Sequence, residues 1–192
     1  VWRQLAARLL LRLRYLLRRK SRRTPGFAEL TGSGLLVVRD FLPAGRFNEL
    51  RAECLAALDD AQVPKSDLLH GPTIVRRIHL KPQGPRLPVA EEVSSMPMLM
   101  DLLSAAEGKD LRPGQLHRVV ERVIHGRHDE HDPENDLHVD TFHSTHKVWL
   151  YLDDVAAEQG PLAVVPGSHR LDWRLLKYTY RYFRAFGKSS GS

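Results

Sequence analysis

Apolar residues along the chain recur first with a helical period and later with the period of strands. On a wheel at 100° per residue, Trp2, Leu5, Ala6, Leu9, Leu10, Leu13, Leu16 and Leu17 fall in one arc, and Arg3, Arg8, Arg12, Arg14, Arg18 and Arg19 in the other, which predicts a basic amphipathic helix. Residues 20–26 read as a linker, and residues 34–41, with β-branched positions at their centre, as a short strand. Pro43 then opens a helix over about 44–60, where Phe47, Leu50, Cys54, Leu55 and Leu58 recur at helical spacing. A strand is predicted at 73–80 and a short helix at 96–105, in which Met96, Met98 and Met100 are packing material. From Gln115 the period shortens to two. Strands are expected at 116–124, 137–141, 147–152 and 162–165, with turns at Gly126, Asp132-Pro133, 159–161 and Pro166-Gly167, and a last helix at about 171–186. The pattern is α+β and β-rich, with helices before the strands and no internal repeat.

Composition narrows this picture. A chain of 192 residues that is 42% hydrophobic can bury one sizeable core. The single cysteine, Cys54, excludes a disulfide framework and a cysteine-based zinc finger. It fits a reducing compartment, with the cytoplasm as the expected location. The formal charge of +6 is unevenly placed, because residues 1–23 hold nine basic and no acidic residues. The rest, residues 24–192, is near neutral, so no nucleic-acid partner is expected of the body. Arginines interrupt every apolar run of the first helix, which therefore fits neither a membrane span nor a signal peptide. Two readings of it stay open: residues 1–20 lie on an anionic membrane surface, or their leucine face docks on the domain or on a second subunit.

The candidate chemistry lies in His138-Val139-Asp140. On an extended strand residues i and i+2 share a face, so an imidazole and a carboxylate would stand side by side. With one more histidine from a distant strand they form the facial triad of non-haem Fe(II) oxygenases. Alone, His-x-Asp is a weak signal that more often marks an exposed strand-edge pair than a metal site. His125, His128 and His131 could take up adventitious zinc or nickel, but Gly126 and Pro133 mark their stretch as a polar loop and they read as solvated; neither His143 nor His146 is assigned to a metal. The chain has no phosphate-binding glycine loop and no nucleophile elbow.

Around that pair the sequence runs HVDTFHSTHKVWLYLDDV over 138–155 and EQGPLAVVPGSHR over 158–170, after an opening GSGLLVVRDFLPAGRFNELRAECLAAL at 32–58. In order and spacing these blocks resemble the phytanoyl-CoA dioxygenase family of Fe(II)/2-oxoglutarate oxygenases. The resemblance implies a double-stranded β-helix, a cupin-like jelly roll, within residues 24–192, and the periodicity sets residues 1–23 apart as a basic amphipathic helix. It implies His138 and Asp140 as the first two iron ligands and Trp149 near the co-substrate pocket, where core filler is the competing reading. Halogenating relatives replace the carboxylate with a small residue, so Asp140 favours hydroxylation. His169, in the Pro166-Gly167-Ser168-His169 turn, is a weak alternative for the third ligand. The distal histidine and a cation for 2-oxoglutarate are expected beyond Ser192, which makes the chain the first half of the barrel, binding Fe(II) weakly and turning over little. The implied co-substrates are 2-oxoglutarate and dioxygen, and the substrate is a small or lipid-like molecule. A non-catalytic binding module on the same barrel and a membrane-surface adaptor are the competing functions.

Overall fold

In the computed structural model, the described residues are 10, 24–124, 136–139, 145–170 and 172–186. The expected N-terminal helix, Leu10 apart, and the 125–135 loop with its three histidines lie outside them.

Helix α1, Phe27–Ser33, is bracketed by two glycines in the left-handed region, Gly26 (φ 77°) and Gly34 (φ 85°). Gly34 donates its N–H to Leu30 O, closing the last turn as a C-terminal glycine does. Helix α2, Ala44–Asp59, follows Pro43 as expected, and its buried residues Leu50, Cys54, Ala57 and Leu58 form one stripe. A hairpin comes next. Strand β1, Ser66–His70, pairs antiparallel with β2, Thr73–His79, and β3, Val119–Ile124, adds on the other side of β2. The hairpin turn is Gly71-Pro72, with Gly71 at φ 54°. Proline cannot take a positive φ, so the pair suits a turn that needs the left-handed region only at its first central residue.

Helices α3, Pro88–Val93, and α4, Pro97–Glu107, lie between β2 and β3 in sequence. Helix α3 is pinned to α2 by one carboxylate: Glu53 accepts the N–H groups of Val89 (3.1 Å) and Ala90 (2.9 Å), donors that the first turn of a helix leaves without partners. Alternation along the sheet selects one apolar face. Ile78, fully buried, stands opposite Val120, and together with Leu80 they meet Leu50, Cys54 and Leu58 of α2 and Leu87, Ala90 and Val93 around α3. Burial pushes the Cys54 thiol up to about 11, with the neighbouring Glu53 charge adding to the effect, so it stays a neutral, inert core residue at pH 7.

Several expected elements differ. Residues 34–41 form no ladder, and α1, α3 and β1 were not foreseen. Residues 147–152 and 162–165 run without strand pairing among the described residues, although the alternation survives: Leu150 and Leu152 pack on the core while Trp149 and Tyr151 face outward. Arg51 of α2 holds this segment, donating to Leu152 O (3.0 Å) and pairing with Asp153 (2.6 Å). Its backbone is thus fixed by a helix instead of a neighbouring strand. The described residues show an α+β fold with a three-stranded antiparallel sheet, where the resemblance implied a double-stranded β-helix. The last helix, α5, is Trp173–Phe186.

Ile78 is the side chain on which sheet and helices converge. Replacing it, Ile78→Ala, is expected to lower unfolding stability by about 2–5 kcal/mol, read as a drop in the denaturation midpoint with little change in slope. A change below about 1 kcal/mol would show that this core is not where stability resides.

Candidate metal centre and its surroundings

His138 lies in the irregular segment 136–139, and Asp140 falls outside the described residues. The His138 Nδ1 is 2.7 Å from Asp136 O. A carbonyl can only accept, so Nδ1 carries the proton, and in the neutral ring the lone pair then lies on Nε2. This is how metal-binding imidazoles are commonly set, with one nitrogen donating to a backbone carbonyl and the other kept as a ligand atom. The local geometry and donor chemistry of His138 therefore suit a divalent metal. Among the described residues no group of three or more His, Cys, Asp or Glu converges on one point.

The segment that follows is tied down by His146, whose Nδ1 is 2.9 Å from Glu107 Oε1 at the end of α4, with both side chains largely covered. Trp149 is about half exposed, with Lys147 Nζ 5.8 Å from its ring centre. It is therefore not core filler in the described structure. Neither the His146–Glu107 clamp nor the Arg51–Asp153 pair was visible in sequence, since each joins residues 39 or more positions apart.

His169 has a different setting. The turn Pro166-Gly167-Ser168-His169 docks on the last turn of α1. Gly167 N–H donates to Ser33 O (2.6 Å), His169 Nε2–H to Thr31 O (3.1 Å), and Arg170 to Gly32 O. Gly34 completes the seat: a Cβ built there would come within 2.3 Å of His169 Nδ1. A glycine is needed at position 34 twice over, for its positive φ and for the space the ring fills. In this arrangement His169 joins its turn to the end of α1, 138 residues away in sequence.

The described residues form an α+β domain in which His138 lies in an irregular segment beside Asp140, itself outside those residues. The family model described as phytanoyl-CoA dioxygenase (PhyH) matches residues 31–190, and the chain belongs to that family. Its members are oxygenases of the Fe(II)/2-oxoglutarate kind, acting with dioxygen on small molecules. No curated protein and no solved structure matches the chain. No helix among the described residues is long and apolar enough to cross a membrane.

Two substitutions check the docked turn. Gly34→Ala introduces both a strained φ and a clash, and is expected to cost about 1–3 kcal/mol. His169→Ala removes one exposed hydrogen bond and is expected to cost about 0.5–1.5 kcal/mol. Chemical denaturation of the two variants tests the order; equal, negligible losses would mean that the turn does not bear on the loop after α1.

Proposed function

We propose that this domain is a hydroxylase in which His138 and Asp140 supply two protein ligands to Fe(II), acting with 2-oxoglutarate and dioxygen on a small or lipid-like substrate. The observation that carries the reading is that His138-Val139-Asp140 falls within the family stretch 31–190. The tautomer of His138 supports it, since Asp136 O takes the Nδ1 proton and leaves Nε2 as the ligand atom. Asp140 fills a coordination position with an anionic oxygen, and a ligand set that includes a carboxylate favours transfer of a hydroxyl group over that of a halide. Bound Fe(II) would supply a Lewis-acidic centre at which the 2-oxo acid chelates and oxygen is reduced. Within this reading residues 24–192 belong to the oxygenase unit, residues 1–23 are an appended basic helix, and the unit works in the cytoplasm.

The residues around the pair have supporting roles. The His146–Glu107 contact holds the chain after Asp140 against α4, which fixes where the ligand segment leaves the fold. Lys147 and Trp149 are side chains from the same segment, and Trp149 is the one we assign to the co-substrate side of the centre. Arg51 anchors the far end of the stretch through Leu152 O and Asp153.

The test is 2-oxoglutarate decarboxylation, followed as succinate formed under air with added Fe(II), in the longest form of the protein that can be expressed. His138→Ala and Asp140→Ala are each expected to reduce turnover at least about a hundredfold, as loss of a ligand should, and to abolish the visible charge-transfer band of the Fe(II)–2-oxoglutarate chelate under argon. Variants that keep both signals would remove His138 and Asp140 from the centre.

A further inference from the structure

A second histidine pair stands away from the site just described. His79 ends β2, His117 leads into β3, and Ser66 begins β1. The register explains why they meet. Arg77 is opposite both Ser66 and Glu121, and His79 is opposite Val119. Positions 77, 79, 119 and 121 therefore share the sheet face opposite Ile78 and Val120, and His117, two residues before Val119, enters on the same side. The geometry is close: His79 Nε2 is 3.0 Å from Ser66 Oγ, and His79 Nδ1 is 3.3 Å from His117 Nε2, with the rings tilted by 36°.

Without metal this contact is a hydrogen bond in which His117 Nε2–H donates to His79 Nδ1; once that proton is released, the separation matches one edge of a metal's coordination tetrahedron. With Zn–N bonds of about 2.0–2.1 Å, adjacent ligands lie about 3.3–3.4 Å apart. The Ser66 hydroxyl can accept from His79 Nε2–H, which leaves the lone pair on Nδ1, the nitrogen that faces His117.

We propose that His79 and His117 form a two-histidine site for a borderline divalent transition ion, Zn2+ above all, with water completing the coordination and Ser66 orienting His79 from outside. The site is independent of His138 and of the oxygenase reading. Its affinity comes from nitrogen donors and not from local charge. Lys81 and Arg77 oppose a cation, and Glu121 is already engaged with Arg77 at 2.6 Å. Hard oxygen-seeking ions such as Mg2+ and Ca2+ are therefore excluded.

The measurement is a Zn2+ titration of the whole 15N-labelled chain, followed by long-range proton–nitrogen correlations of the imidazoles. Before metal, His79 is expected to show the Nε2-protonated tautomer. Zn2+ should then move His79 Nδ1 and His117 Nε2 together and saturably, while Mg2+ moves neither. His117→Gln, at an exposed position before β3, should abolish the His79 response with the far-ultraviolet spectrum unchanged. Ser66→Ala should weaken binding about tenfold. The proposal is overturned if Zn2+ shifts only the histidines of residues 125–146, or if the His79 shift survives His117→Gln. Independent titration of the two rings, with no common saturation point, overturns it as well.

Discussion

Ile78 sits at the middle of everything the fold positions. It is fully buried on the central strand, so its side chain is covered by α2 on one side and bounded by the neighbouring strands on the other. Burying such a side chain contributes about 1.5–3 kcal/mol, and it does so only if β2 keeps its register. A slip by one residue would bring Arg77 onto the apolar face and Ile78 out to solvent. The same burial fixes which face of α2 turns inward, and hence where Glu53 and Arg51 point. Glu53 then seats α3, and Arg51 takes the segment after the candidate metal ligands.

The two faces of the sheet consequently have different chemistry. Beside the core face, near the end of the hairpin away from its turn, Asp67 and Arg76 pair across strands through two hydrogen bonds of 2.9 and 2.8 Å. The hydrogen bonds from Arg76 hold the Asp67 carboxyl below its ordinary range, with the charge attraction adding to them. A lowered folded-state value means that this contribution is present above the ordinary carboxylate range and lost as pH falls through the lowered one. The pair is solvent-exposed, so it steers strand register more than it adds stability. On the opposite face the alternation gathers Ser66, Arg77, His79 and Glu121, which is why a polar cluster from three chain segments exists there at all.

What the sequence made legible follows the strength of each local signal. The helix expected over 44–60 is observed as Ala44–Asp59, because an opening proline and a regular apolar stripe act together. The strand at 73–80 is observed as Thr73–His79 for a similar reason, with β-branched and apolar residues in a short run. Strand β1 escaped notice because Ser66–His70 has only Leu68 and Leu69 as apolar residues and owes its state to the Gly71-Pro72 turn. Residues 34–41 have strand composition, but Gly34 and Asp40, both at positive φ, break the extended run at each end. At the candidate centre, His138 and Asp140 could be picked out by spacing and resemblance. The contacts that hold the segment, Glu107 to His146 and Arg51 to Asp153, could not, since only the packed fold brings those residues together.

The histidines of the two matching blocks show how the backbone assigns roles to identical side chains. Each gives one ring proton to a carbonyl, but from opposite nitrogens. His138 donates from Nδ1 to Asp136 O, two residues away, so the ring is held by its own chain and its distal nitrogen keeps the lone pair. His169 donates from Nε2 to Thr31 O, 138 residues away, and its Nδ1 lies over the Cα of Gly34. The first arrangement ties the ring to its own stretch of chain through Nδ1. The second spends the tip on a long-range contact and turns the remaining nitrogen toward protein. The same side chain thus makes a local contact in one block and, in the other, joins the Pro166–His169 turn to the last turn of α1.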